Sequence, residues 1–134
     1  MKNNIKLYEM TEFCKLNLNT DINNYYFDSG VEELNDFFLN LSQHYIKESL
    51  SQVYYLKEED NNKVIGYFAI SCGDIEFRRT LNIKKKISHI PCVLIGRLAI
   101  DKEYQRKGFG TELLKLALNI SISLSNKIGC RLVN

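Results

Sequence analysis

The chain has 134 residues, of which 45% are hydrophobic and 25% charged, with a net charge of +2. That length holds one domain with a real core and excludes two. The composition excludes a disordered or fibrous chain, and so small a net charge gives no general argument for nucleic acid. The four cysteines, Cys14, Cys72, Cys92 and Cys130, form no CxxC pair, so neither a zinc site nor a redox motif is expected and no metal is assigned. Three of them lie in apolar runs, where a free cysteine acts as a small buried hydrophobe. Neither a signal peptide nor a bilayer-spanning run is read, so the expectation is a reduced, cytoplasmic protein without a membrane partner.

Ile5 to Tyr8 offers a short first strand, and Asn17 to Asn24, rich in Asn, reads as loop. Ser29-Gly30-Val31-Glu32 reads as a capping box, the serine hydroxyl reaching forward and the glutamate back. Behind it Leu34, Phe37, Phe38, Leu41 and Tyr45 recur at helical spacing, which predicts one amphipathic helix over residues 31–49. Val53 to Leu56 and Val64 to Cys72 are β-rich and flank the polar turn Lys57 to Lys63, a hairpin pattern. Residues 75–90, with Arg78-Arg79 and Lys84-Lys85-Lys86 around Leu81 and Ile83, fit a short surface helix. Pro91 opens a nearly all-apolar strand, Cys92 to Ile100, of the kind covered on both faces. Asp101 to Lys107 is charged loop. From Gly108 onward Leu113, Leu114, Ala117, Ile120 and Leu124 keep one helical face apolar to about Lys127; Gly129 ends that helix and Cys130 to Val133 begins another strand. The order β, α, β, β, β, α, β is an α/β (α+β) arrangement. It predicts a single domain over residues 1–134, with a mixed, mostly antiparallel sheet flanked by helices and a parallel crossover at the end.

The informative segment runs from Gly96 to Thr111: a strand, a glycine-punctuated turn with two cations, then a helix N-terminus. Such a turn presents consecutive backbone N–H groups, and the helix dipole adds partial positive charge there. Gly108 and Gly110 remove side chains that would hold a diphosphate off the backbone, and Arg106 and Lys107 supply charge at the rim. Neither the GxxxxGK[ST] nor the GxGxxG pattern of other phosphate loops is present.

Gln105-x-x-Gly108-x-Gly110, after an apolar strand and before a long helix, resembles motif A of the GNAT N-acetyltransferase superfamily. That resemblance implies an acyl-CoA N-acyltransferase fold. It also implies that Gln105, Arg106, Lys107, Gly108, Phe109, Gly110 and Thr111 bind the pyrophosphate of acetyl-CoA, the co-substrate. The backbone of Leu98, Ala99 and Ile100 would then pair with the pantetheine arm like an added strand. Tyr26-Phe27-Asp28-Ser29-Gly30, Leu34-Asn35-Asp36-Phe37-Phe38, Ile65 to Ser71 and Ile90-Pro91 leading into Leu94 to Asp101 look like the acetyltransferase toxins of bacterial type II toxin–antitoxin pairs. Members of that group acetylate the free α-amine of an aminoacyl-tRNA and are silenced by a ribbon–helix–helix antitoxin, so transferase activity and both partners are implied by the resemblance alone.

The departure is at the end. Members continue past the strand at Cys130 with a helix and two closing strands, and the helix carries a tyrosine that protonates the leaving coenzyme A thiolate. Here the sequence stops at Asn134 and no tyrosine follows Tyr104. The resemblance therefore implies a domain truncated at its C-terminus, with the catalytic residues unassigned. It also leaves an edge strand for a partner chain to cover, a homodimer being one way.

Amine attack on a thioester needs no covalent enzyme intermediate. An α-amine titrates near ~8 and a lysine near ~10.4, so an α-amine acceptor scarcely needs a base. The carboxylates around the segment, Asp74, Glu76 and Asp101, read as solvated loop charges, which favours an α-amine. A backbone N–H near Leu98 or Ala99 is placed to polarise the thioester carbonyl. Arg97, a lone cation in an apolar strand, either touches substrate phosphate or the antitoxin, or pairs with Asp74 or Glu76; the resemblance puts an arginine there and tips it towards substrate binding. The basic stretch at residues 78–86 is either a tRNA-facing patch or a solvated face. His44 and His89, the latter in a loop, read as structural. Tyr25, Tyr26, Tyr54 and Tyr55 read as core and strand filling, and Phe109 as packing beneath the turn. Two other readings stand beside the toxin: a general acetyltransferase of a small amine or protein N-terminus, and a non-catalytic domain that binds acetyl-CoA or an antitoxin.

Overall fold

A computed structural model of the chain describes residues 10–76, 89–129 and 132–133. The expected strand at Ile5 to Tyr8, most of the basic stretch at residues 75–90, and Cys130 with Arg131 lie outside these residues.

Among the described residues, five strands form one sheet in the order β1 (Thr11–Lys15), β2 (Gln52–Glu58), β3 (Val64–Glu76), β4 (His89–Ile100) and β5 (Leu132–Val133). The first four pair antiparallel, and β5 joins β4 in parallel through Cys92–Leu132 and Val93–Val133. The mixed, mostly antiparallel sheet and its closing parallel crossover are thus as the element order predicts. Strand alternation sends Val53, Tyr55, Tyr67, Ala69 and Ala99 to one face, where they meet Phe27, Phe37 and Phe38. Tyr54, Leu56, Phe68, Ile70 and Val93 go to the other and pack against Phe109, Leu113 and Ala117 of the long helix. Each of these buried large side chains contributes roughly 1.5–3 kcal/mol by leaving water. Every residue from Val64 to Ile70 is buried, since β3 is central and covered on both faces.

Gly66 lets β3 and β4 close up: a Cβ there would sit 2.6 Å from Ile100 Cδ1 and 2.8 Å from the Ala99 carbonyl oxygen. Strand β4 starts earlier than the proline suggests, and His89, expected in a loop, pairs with Glu76. The ends of the 75–90 segment are therefore strand, not surface helix, because the β3–β4 ladder runs on past Pro91.

The first helical region departs from a single regular helix. It comprises α1 (Glu32–Asp36), a π-helical turn (Phe37–Leu41) and α2 (Ser42–Lys47). Leu41, expected in the apolar stripe, is 39% exposed, because the wider turn rotates the helix between Phe38 and Tyr45. The capping box does not form either. Gly30, at φ +87°, turns the chain so that Val31 takes the cap position. The Ser29 hydroxyl then accepts from Val31 N–H, and Asn35 rather than Glu32 reaches back, its Oδ1 accepting from Ser29 N–H at 2.7 Å.

The long helix α3 (Phe109–Ile128) buries Phe109, Leu113, Ala117 and Ser121 and ends at Gly129, whose φ of +72° and N–H bond to the Ser125 carbonyl make the expected stop. Leu114 is 44% exposed instead of facing the core, since the face centred on Leu113 and Ala117 excludes it. Two smaller expectations also fail. Cys72 is exposed, whereas Cys92 is buried. Tyr26 is 70% exposed, in an isolated bridge to Lys63, while Tyr25 and Tyr55 pack together with their hydroxyls 3.0 Å apart. Among the described residues no helix is long and apolar enough to cross a membrane, and no cluster of three metal-ligating side chains occurs.

Candidate acetyl-CoA and acceptor site

Strand β4 carries the candidate site on the edge turned away from β3, where β5 pairs with Cys92 and Val93. Further along, the β3 register slips by one residue: Ala69 faces Arg97, but Ile70 faces Ile95. Gly96 is the extra residue of a β-bulge. Leu98 and Ile100 are half-buried against the α3 face, while Ala99 is buried on the other.

Arg97 lies over the Phe37 ring, its guanidinium carbon 3.9 Å from the centroid, and 5.7 Å from that of Tyr45. The two rings meet edge to face at 5.0 Å. Pairing with Asp74 or Glu76 is overturned by the register. Those residues face Pro91 and His89, six and eight positions along the strand from Arg97, about 20 Å or more away at ~3.3 Å per residue. Half-buried on an aromatic bracket, Arg97 gains a cation–π contact and loses rotamer freedom.

After Ile100 the chain enters a braced turn. Asp101, expected to be a solvated loop charge, is 1% exposed. Its carboxylate accepts the N–H groups of Asp28 and Glu103, each at 2.9 Å, and pairs with Lys63 Nζ at 2.9 Å. It thus caps the 3-10 turn at Lys102–Tyr104 and ties it to the Asp28 strap and the β2–β3 hairpin. Lys102 returns the contact at 3.0 Å to Asp28. The Gly30 N–H, the Asn35 amide and Lys102 together hold the Asp28 carboxyl at about 2, and Asp28 in turn raises Lys102.

Gln105 is exposed, and its side-chain amide donates at 2.9 Å to the carbonyls of both Ser29 and Ile100. These two bonds brace the turn. Arg106 (φ +64°) and Gly108 (φ +89°) both take left-handed conformations, a bend that delivers the chain into α3. Arg106 and Lys107 are exposed beside it, Phe109 is fully buried beneath, and Thr111 is exposed. The first helical bond runs from Glu112 N–H to Gly108, so the N–H groups of Gly110 and Thr111 point out of the helix end. A strand edge, a glycine bend, a 20-residue helix N-terminus and two exposed cations fit an extended amide followed by a diphosphate.

Leu98 to Thr111 run through the strand end, turn and helix start that the sequence predicts, but the brace was not visible in it. Lys63 and Asp28 lie far from Asp101 in the chain, and nothing in the spacing links them. Tyr104 is no free acid: buried, with its hydroxyl on Glu58, it is pushed well above the usual tyrosine range by burial and that carboxylate.

The profile of the Acetyltransferase (GNAT) family matches residues 16–133. A probable toxin TacT of Sinorhizobium fredii is 26% identical over 80% of this chain, which spans 61% of that protein's length. A solved structure of a mutant AtaT toxin bound to the C-terminus of the antitoxin AtaR and acetyl-CoA is 28% identical, with a TM-score of 0.75, over 92% of this chain and 74% of that one. Another, AtaT complexed with acetyl-methionyl-tRNAfMet, is 28% identical with a TM-score of 0.76, over 92% of this chain and 76% of that one. The match covers most of the chain and agrees with the sheet, the bend and the helix already described: the protein belongs to the GNAT acetyltransferase family.

Proposed function

We propose that the protein is an acetyl-CoA-dependent N-acetyltransferase of the toxin type, acting on the α-amine of an aminoacyl-tRNA in the cytoplasm and restrained by an antitoxin. The observation that carries the cofactor half is the left-handed Gly108 bend that aims the α3 N-terminus past Arg106 and Lys107. The pyrophosphate meets the N–H groups of Gly110 and Thr111 there, and the pantetheine arm lies along Leu98 to Ile100. The acceptor half rests on Arg97, fixed on its aromatic bracket beside the bulge, where it suits a phosphate of the tRNA end. Relatives solved with an antitoxin, acetyl-CoA or an acetylated charged tRNA support the same assignment.

Isothermal titration with acetyl-CoA tests the cofactor half. Wild type binds, and Gly108→Glu, which adds a side chain at φ +89° and a charge that repels phosphate, loses at least about 100-fold in affinity. Arg106→Glu, which leaves the bend's glycine in place, loses about tenfold. A folded wild type that binds no acetyl-CoA, or a Gly108→Glu variant that binds as wild type does, overturns the reading.

A further inference from the structure

Five of the described glycines have a steric or conformational reason to be glycine; Gly110 and Gly96 do not. Gly30, Gly108 and Gly129 have positive φ. A Cβ at Gly66 would press on the Ala99 carbonyl oxygen at 2.8 Å, and one at Gly73 would need the Leu94 side chain, at 2.3 Å, to move. Gly110 has only an ordinary contact, at 3.8 Å from Ile100, but opens the helix end assigned above to the diphosphate. Gly96 is exposed, its φ is not left-handed, and a Cβ there would meet nothing within 4 Å. Among the described residues, neither backbone strain nor packing accounts for it.

The bulge says which way that open space faces. Val93 and Ile95 lie on the α3 side of the sheet, and so do Leu98 and Ile100. The two residues between Ile95 and Leu98, Gly96 and Arg97, therefore both fall on the opposite face, beside Phe37 and Tyr45. A glycine that its own fold does not require, next to a cation locked in place, marks a backbone that something from outside approaches closely.

We infer that Gly96 is the floor of the acceptor site: the substituent of the amine-bearing group rests over it, and the missing side chain sets how large that substituent can be. This rests on the reading of the protein as a transferase for aminoacyl-tRNA. The acyl donor is assigned to the β4 edge and the helix end, so a side chain at Gly96 obstructs the acceptor and spares the donor.

The test compares wild type with Gly96→Ala and Gly96→Val in three measurements: thermal melting, acetyl-CoA titration, and acetyl transfer to methionyl-tRNA and glycyl-tRNA. Both variants melt at or above the wild-type temperature, because the Cβ has space and the unfolded chain loses freedom. Their acetyl-CoA affinity stays within about twofold of wild type, while kcat/KM for methionyl-tRNA falls at least about tenfold and the preference shifts towards glycyl-tRNA. Unchanged transfer to both tRNAs overturns the inference. So does a parallel loss of acetyl-CoA affinity, which would put Gly96 under the donor, or a sharply lowered melting temperature, which would make it structural. A wild type that binds acetyl-CoA but acetylates neither tRNA overturns the underlying assignment, and this inference with it.

Discussion

Removing the Asp101 carboxylate should cost far more than its place in a charged surface turn suggests. In Asp101→Ala the N–H groups of Asp28 and Glu103 lose their acceptor and Lys63 loses its closest anion. Hydrogen bonds to a charged group are each worth about 1.5 kcal/mol. Lys63 keeps 22% of its side chain in solvent and a second, 3.8 Å contact to Glu103, so its share is discounted to about 1 kcal/mol. The expected loss is about 4 kcal/mol. An unfolding entropy near 2.1 cal/mol/K per residue converts this to a fall in Tm of about 14 °C for 134 residues. Asp101→Asn keeps one acceptor oxygen and should lose about half as much. Circular dichroism melts at fixed pH and salt measure both. A double-mutant cycle with Lys63→Met should return a coupling of about 1 kcal/mol. An Asp101→Ala variant melting within about 3 °C of wild type refutes the account of the carboxylate as the brace of this turn.

Two further outcomes follow from the same geometry. Gly66→Ala forces a Cβ against the Ala99 carbonyl, which cannot swing away like a side-chain end, and should destabilise by about 1–3 kcal/mol in a urea titration. Asp28, held at about 2 in the fold, contributes stability that is present above the unfolded carboxylate value near ~3.9 and vanishes as pH falls through its folded value. The Tm gap between wild type and Asp28→Asn should therefore be constant from about pH 5 to 7 and close between about pH 4 and 2. A gap independent of pH down to about 2 would show that the carboxylate charge plays no part.

The sheet order and the strand, bend and helix of the candidate donor site were readable because they rest on local signals. Alternating or continuous apolar runs fix β2, β3 and β4, and Gly108 and Gly129 bracket α3. The brace on Asp101 was not readable, because an ion pair between residues 63 and 101 leaves no periodic trace. The cap at Ser29 misled for a related reason: Glu32 stands at capping-box spacing, but the left-handed Gly30 moves the start of the helix by two residues and gives the task to Asn35. The ion-pair alternative for Arg97 stayed open in the sequence because sequence shows charge and not facing rings. The bulge at Gly96 was hidden as well, since one additional residue in an apolar strand leaves its composition unchanged.

The π-helical turn at Phe37–Leu41 has a consequence for angular phase. In a regular α-helix successive residues advance about 100°, so side chains eight apart point about 80° away from each other. A π-turn accommodates one surplus residue, so Phe37 and Tyr45 stand as though seven apart, within about 20° of the same direction. That realignment lets one guanidinium meet both rings at once. The orientation of Arg97 is thus written into the winding of a helix on another layer, and a single deletion between residues 38 and 44 would release it while every contact residue kept its identity.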